Sequence, residues 1–239
     1  ADSLAVAKQC LIDWFAVTLA GAQEPLTGML AAEAIEEGGS PRATLIGSAV
    51  KGTLAQACLV NGSGSHALDY DDVNLNMGGH PTAQVAAAVL AVAEDLGASG
   101  RDLLAAFVAG YEAEGRIGTL VAPSHYGNGF HVTATVGSFG AAAGVGHLLG
   151  LDGAAMASAF GIAGTQAAGL KAQFGTMCKP LHAGKAAVNG LLAARLARRG
   201  FTSRADILEA PQGFADTQSD DFRVERAMRT PRQGFHVRE

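Results

Sequence analysis

The stretch HALDYDDVNLNMGGHPTA concentrates groups that could transfer protons or bind a cation. His66 and Asp69 come before the pair Asp71 and Asp72, and His80 follows a pair of glycines. A carboxylate beside a histidine can act as a base or orient the ring, whereas His and Asp at short spacing can also bind a divalent ion. A third interpretation assigns Asp71 and Asp72 to capping and loop hydrogen bonds. The stretch predicts a reactive loop within a largely apolar chain.

Metal binding is the weaker of the two chemical interpretations. An aspartate-rich magnesium site on a helical scaffold needs a second acidic cluster on a facing helix, and the sequence contains none. It also needs its acids on one helical face, whereas glycines interrupt this stretch. We therefore expect acid–base chemistry and no metal.

Two histidines stand where helices are expected to begin. Pro81 suits the first helical position, which places His80 and Thr82 at a helix N-terminus. His131 follows a glycine-containing loop and opens another helix, whereas His125, within that loop, is expected at the surface. Free N–H groups and the helix dipole favour an anionic ligand at such positions and lower the pKa of a histidine there.

A third junction of the same kind carries a lysine. Lys179 precedes Pro180, which favours an extended conformation just before a helix, and Lys185 follows on that helix. We expect the helix starts at His80, His131 and Lys179 to converge on one pocket.

Glu112 and Arg116 are spaced to form an ion pair on one helix face. Arg116 could instead neutralise a substrate carboxylate from the pocket wall. The sequence leaves both interpretations open.

The elements that must position these groups are predicted to be helices. No region alternates with period two over several strands, and ATLIGSAVKG (43–52) is the one strand candidate. Many glycines lie inside predicted helices, and the spacing of Gly140 and Gly144 would let helix backbones approach closely. The predicted helices cover about 4–19, 26–37, 52–64, 81–97, 100–121, 132–150, 153–170 and 180–200.

This pattern predicts an all-α fold with a helical domain over 1–215 and a connecting segment over 216–239. The helical pattern fades after Gly213, and no helix stop closes the chain.

Composition narrows the class of protein. The chain has 239 residues, is 49% hydrophobic and carries a net charge of −5, with no basic run that would indicate nucleic acid. Three cysteines without CxxC spacing fit a reducing, cytoplasmic compartment, and no signal peptide is expected. Two uncharged runs, 133–151 and 153–170, have the length of membrane spans but consist mainly of small residues, so we expect buried helices and no membrane partner.

The ordered set of motifs resembles the MmgE/PrpD family, which includes 2-methylcitrate dehydratase, cis-aconitate decarboxylase and iminodisuccinate epimerase. The resemblance covers essentially all of residues 1–215. It depends on Asn61-Gly62, His66-Ala-Leu-Asp69-Tyr-Asp71-Asp72, His80-Pro81-Thr82, Gly110-Tyr111-Glu112 with Arg116, Gly129-Phe130-His131 with Gly137, and Lys179-Pro180-Leu181-His182-Ala183-Gly184.

The resemblance implies a large all-helical domain and a smaller α/β domain, the second of which is expected to be absent from this chain. It implies a cofactor-free, usually dimeric enzyme acting on di- or tricarboxylates. Val73 stands where many members have threonine, which would remove a hydroxyl from the site.

The resemblance also implies the site residues. Asp69, His80, His131 and Lys179 are expected to be catalytic. A second set is expected to bind substrate: Arg116, Thr82 and His182.

The leading functional hypothesis is a lyase that dehydrates a 2-methylcitrate-like substrate. Decarboxylation and epimerisation use overlapping groups and remain alternatives within the family. A catalytically silent helical fragment or dimerisation module is the alternative of another class.

Overall fold

A computed structural model describes residues 2–239. It is dominated by helices, in agreement with the predicted all-α fold. The helices are α1 (Asp2–Gly21), α2 (Pro25–Glu37), α3 (Leu54–Ser65), α4 (Thr82–Leu96), α5 (Gly100–Val121), α6 (Ser124–Gly127), α7 (Val132–Leu148), α8 (Gly153–Gly164), α9 (Cys178–Ala197), α10 (Phe214–Gln218) and α11 (Val224–Met228).

Helix α7 forms the centre of the fold. It packs against α4, α5, α8 and α9, and its side chains are buried from Val132 to Gly146. A helix that is apolar on all sides is stable only when neighbours surround it. The run 133–151 that matched a membrane span in length is therefore mainly an interior helix.

Close backbone contact between helices explains part of the glycine content. A Cβ atom at Gly110 in α5 would lie 2.7 Å from the carbonyl oxygen of Gly140 and 3.3 Å from Cα of Gly144 in α7. Any side chain there would separate the helices that carry the candidate site. The close approach predicted from the Gly140 and Gly144 spacing is thus confirmed.

Two element predictions were wrong in detail. The strand predicted over 43–52 is a hairpin in which β1 (Ala43–Thr44) pairs antiparallel with β2 (Lys51–Gly52), because Gly47 turns the chain with a φ of +83°. Helix α8 was predicted over 153–170 but ends at Gly164. The chain beyond it leaves the helix and pairs with the loop before α7, where His131 donates its backbone N–H to the carbonyl of Gly169 at 3.0 Å.

Lys179 is not extended before its helix, as predicted, but lies inside the first turn of α9. Pro180 is tolerated as the third helical residue, because the first N–H groups of a helix have no acceptor within it. The first turn of α9 therefore sets the position from which the Lys179 side chain extends.

Residues 216–239 pack on α5. Arg223 donates its backbone N–H to Leu120 at 2.9 Å, and His236, which is buried, donates its own to Glu112 at 2.8 Å. The segment contains α11 and a 3-10 turn at His236–Arg238. That it leads to a second domain stays a prediction.

Among the described residues, α1 is the one helix long and apolar enough to cross a membrane by length and composition. Core helices of soluble proteins and signal sequences pass the same test; 33% of this apolar stretch is buried, and α1 packs against α3, α4 and α5.

Candidate active site

A cleft of about 520 Å³ opens where the starts of α4, α7 and α9 meet. The junctions at His80, His131 and Lys179 all line it, as does Asp69. The predicted convergence of three helix starts is therefore present in the structure. Four side chains from three separate parts of the sequence share one solvent-accessible space.

A buried carboxylate links two histidines beneath this cleft. Nδ1 of His66 lies 2.9 and 3.0 Å from the two oxygens of Asp71. Nδ1 of His80 lies 3.4 Å from Oδ2 of the same carboxylate, an ion-pair contact and not an aligned hydrogen bond. The rings of His66 and His80 meet edge to face, with centroids 4.7 Å apart.

Lys179 meets a different carboxylate. Its ammonium group forms an ion pair with Asp69, which has a left-handed backbone φ of +58° and a side chain that is 55% exposed. The same Asp69 lies 3.7 Å from Nε2 of His80. A salt bridge at the cleft wall thus brings an ammonium close to His80.

His131 occupies a less polar environment. Its Nδ1 lies 3.1 Å from Nδ1 of His182, so one ring must donate the proton and the other accept it. Its ring stacks on His66 at 5.7 Å and contacts the Phe174 ring edge to face at 5.0 Å. Since Nδ1 is engaged, Nε2 is the nitrogen left for a ligand.

The start of α7 offers backbone donors to the cleft. The N–H groups of Val132 and Thr133 have no acceptor among residues 2–239, and both residues line the cleft. A Cβ atom at Gly79 would come within 3.1 Å of the Thr133 nitrogen. The loop before α4 therefore packs closely on the start of α7, and both Val132 and Thr133 are buried. Free N–H groups at a helix start suit an anion.

The two cleft histidines have opposite proton affinities. Burial would lower the pKa of His80, but the nearby carboxylate of Asp71, with a smaller contribution from Asp69, raises it above its ordinary value of 6.5. Burial lowers the pKa of His131 to about 2, with further contributions from His66 and His182. Near neutral pH His131 is therefore uncharged, whereas His80 retains its proton more readily.

Asp71 remains ionised despite its burial. Burial alone would raise the pKa of its carboxyl, but hydrogen bonding to His66 and the contact with His80 outweigh this and lower the pKa. The charge that raises the pKa of His80 is thus held deep in the protein.

The predicted substrate-binding residues do not line this cleft. The hydroxyl of Thr82 donates to Asp72 at 2.7 Å, and its N–H donates to the same carboxylate at 3.3 Å. His182 contacts His131 instead. Arg116 forms the predicted ion pair with Glu112 at 2.7 Å, borders a separate apolar groove and is not brought to the cluster.

The expectation of a surface position for His125 was wrong. The residue is fully buried, with Nε2 2.7 Å from the hydroxyl of Thr135 and Nδ1 2.9 Å from the carbonyl of Gln218. These two contacts join the loop before α7 to α7 itself and to the C-terminal segment.

Sequence reasoning placed His66 and Asp71 in the reactive loop but neither predicted that they pair nor included them among the expected site residues. Asp72 does hydrogen bond to the start of α4, as the capping interpretation held, but Asp71 binds His66. The five-residue separation of His66 and Asp71 gave no periodic signal, because a turn between them brings the two side chains together.

His66, Asp69, Asp71 and His80 offer ligand atoms within 4.8 Å of one another, close enough to surround a divalent ion. Their present contacts are with protein groups: Asp69 with the ammonium of Lys179, and Asp71 with the histidines. That the cluster carries acid–base chemistry and binds no metal stays a prediction.

Comparison with known proteins agrees with this arrangement of motifs. The sequence profile described as the MmgE/PrpD N-terminal domain matches residues 1–227. The chain belongs to the MmgE/PrpD family. Relatives within it include a cis-aconitate decarboxylase of Aspergillus terreus, 34% identical over 221 residues, which are 89% of this chain and 45% of the relative.

Two further relatives carry similar names. A cis-aconitate decarboxylase of Homo sapiens is 36% identical over 163 residues, or 66% of this chain and 34% of the relative. A cis-aconitate decarboxylase-like protein, oryM, of Aspergillus oryzae is 34% identical over 224 residues, or 89% of this chain and 46% of the relative. The chain spans less than half the length of these MmgE/PrpD relatives.

Proposed function

We propose that this chain carries proton-transfer and carboxylate-binding groups of a lyase that decarboxylates a cis-aconitate-like tricarboxylate without a cofactor. The observation that carries the proposal is the pairing, in one cleft, of a proton-retaining His80 with an uncharged His131. The names of the MmgE/PrpD relatives support the choice of substrate.

Substrate carboxylates have two binding groups in the cleft. Lys179 supplies an ammonium that now pairs with Asp69, and the free N–H groups of Val132 and Thr133 supply neutral donors. Charge-assisted hydrogen bonds to an ammonium are among the stronger contacts a carboxylate can make. One carboxylate near Lys179 and another at the start of α7 would place the carbon chain between His80 and His131.

The proposed reaction consumes one proton. The bond between the CH₂ carbon of the substrate and its carboxylate breaks, releasing carbon dioxide, and the electron pair forms a new carbon–carbon double bond. The electrons of the former double bond move to the neighbouring carbon, where a second carboxylate stabilises them. That carbon then takes a proton, which leaves a dicarboxylate.

His80 is the proton donor in this scheme. A general acid must hold a transferable proton at the working pH, and a pKa raised above 6.5 helps His80 retain its proton toward neutral pH. His131 is too weakly basic to carry a proton, so it would contact a substrate oxygen as a neutral hydrogen-bonding group. The edge-to-face contact with Phe174 reduces water access on that side.

Dehydration of a 2-methylcitrate-like substrate, which the sequence alone favoured, also needs an acid to protonate the departing hydroxide. It would release water and no carbon dioxide. The same cleft could supply the proton donor. Incubation with each substrate distinguishes the two reactions by their products.

The test is to incubate the protein with cis-aconitate and with 2-methylcitrate in D₂O and to follow both by NMR. We expect cis-aconitate to disappear with release of carbon dioxide and incorporation of a single deuteron at carbon. Loss of water from 2-methylcitrate with no reaction of cis-aconitate would replace decarboxylation by dehydration. Turnover of neither substrate would overturn the proposal and favour a silent helical module.

A further inference from the structure

Asp71 is the buried carboxylate on which the two histidines of the cluster depend. Its side chain is 2% exposed, and that of His66 is completely buried. Both oxygens of Asp71 lie within 3.0 Å of Nδ1 of His66, and Oδ2 also faces His80 at 3.4 Å. No assigned role accounts for this arrangement.

We propose that Asp71 is the positioning residue of the site: it fixes the ring of His80 and holds the proton on it, while His66 fixes Asp71. This inference rests on the proposed function, in which His80 donates a proton to carbon. It adds to the groups that line the cleft a chain of positioning contacts from His66 through Asp71 to His80, which we call the relay.

The three neighbouring aspartates differ in what they contact. Asp69 is largely exposed and pairs with Lys179, so its charge is partly neutralised and screened by solvent. Asp72 accepts hydrogen bonds from Thr82 and lies at the start of α4. Asp71 alone of the three is almost fully buried and in direct contact with two imidazole rings. A charge in that position acts on His80 with little screening.

His66 supplies the fixed end of the relay. Its Nδ1 must carry a proton to bond with an ionised carboxylate, and its Nε2 is buried without a partner among residues 2–239. A bond shared between both oxygens restricts rotation of the Asp71 carboxylate. Because the carboxylate cannot turn, Oδ2 stays directed at Nδ1 of His80, and Nε2 of His80 remains for the substrate.

Other charges face His80 and must be considered in any titration. Asp69 is 3.7 Å from Nε2 and favours the protonated ring. Lys179 disfavours it. The ring of His66 meets the His80 ring edge to face, and His131 and Asp72 interact with His80 through charge.

The decisive experiment is a pH titration of the histidine ring signals by NMR, which needs no turnover. Asp71→Asn preserves shape and removes the charge, so we expect His80 to titrate at a pH lower by about one unit or more. Asp72→Asn is the matched control, since it removes a neighbouring carboxylate that does not touch the ring, and should shift His80 less. An unchanged His80 titration in Asp71→Asn would overturn the inference.

A measurement on the unmodified protein covers the case in which Asp71→Asn fails to fold. Nitrogen chemical shifts report which ring nitrogen carries the proton, and we expect His66 to be protonated on Nδ1. A neutral His66 protonated only on Nε2 could not bond to Asp71 and would contradict the relay.

Kinetics separate this inference from the proposed function. If cis-aconitate is turned over, Asp71→Asn should reduce kcat by about tenfold to a hundredfold with little change in KM, and the alkaline limb of its pH profile should move to lower pH. Absence of turnover in the unmodified protein would refute the proposed function and leave the titration result standing. Normal turnover with an unshifted pH profile in Asp71→Asn would refute the relay alone.

Discussion

The His80 side and the His131 side of the cleft use the same kind of side chain in opposite electrostatic environments. His80 faces two carboxylates, one of them almost fully buried. His131 faces His182, His66 and the ring of Phe174, with no carboxylate among its close contacts in residues 2–239. Both rings lose solvent, so burial alone would lower both pKa values. The contrast shows that nearby carboxylates, and not the position at a helix start, set which ring carries the proton.

The largest effect is expected from His80→Gln. Glutamine retains a hydrogen-bonding group but cannot deliver a proton, so kcat should fall by roughly 10²- to 10⁴-fold. The measurement is steady-state turnover of cis-aconitate beside a thermal melt. His147→Gln is the matched control, because His147 is exposed at the far end of α7 and should behave like the unmodified protein. Equal kinetics for both variants would remove His80 from the chemistry.

The pH dependence of turnover should follow His80 and not His131. Because the His80 pKa is raised above 6.5 by Asp71 and the protonated ring is the active form, activity should be retained below that pKa and fall as the pH rises through it. His131 already lacks its proton across this pH range, so its titration should not appear in the pH profile of turnover. A profile that rises with pH between 6 and 8 would assign the essential group as a base instead.

A smaller effect is expected from His131→Ala, which removes a ring that carries no charge. We expect kcat to fall by about tenfold to a hundredfold with a modest change in KM, because a hydrogen-bonding contact is lost but no proton donor. The melting temperature should also drop, since the ring is buried and packs on Phe174. A loss as large as that of His80→Gln would mean that the two sides of the cleft are equivalent.

Lys179→Ala tests the binding contribution between the two sides. Loss of the ammonium should raise KM for a tricarboxylate by about tenfold to a hundredfold, the weakening expected when a charge-assisted hydrogen bond worth about 1.5–3 kcal/mol is removed. Lys185→Ala is the control, because Lys185 is exposed on the same helix α9. If KM stays constant for Lys179→Ala, the carboxylate must bind at the start of α7 without help from the ammonium.

The helices could be predicted from the sequence because they depend on local signals, and the meeting of three helix starts was inferred because the same loop-to-helix pattern occurs at His80, His131 and Lys179. Apolar periodicity gave the helix ranges, and Pro81 and the glycines near His131 marked where helices begin. The Asp71–His66 pair and the buried position of His125 could not be predicted, because each depends on contacts between side chains that a turn or a distant segment brings together. Lys179 was misplaced because the restriction before proline was applied without considering that a first helical turn tolerates proline.

The smallest expected effect is that of a chelator, which should change nothing. The four groups close enough to surround a cation already have protein partners: an ammonium lies at Asp69, and two imidazole rings lie at Asp71. If these contacts describe the working site, turnover of cis-aconitate should be unchanged after exhaustive dialysis against EDTA. The His80 ring signals should also titrate identically with and without added Mg²⁺ or Fe²⁺. Loss of turnover on chelation, with recovery on adding either ion, would mean that the His80 side binds a metal. The contrast with His131 would then be one between a cation site and a neutral ring, and the proton would have to come from elsewhere.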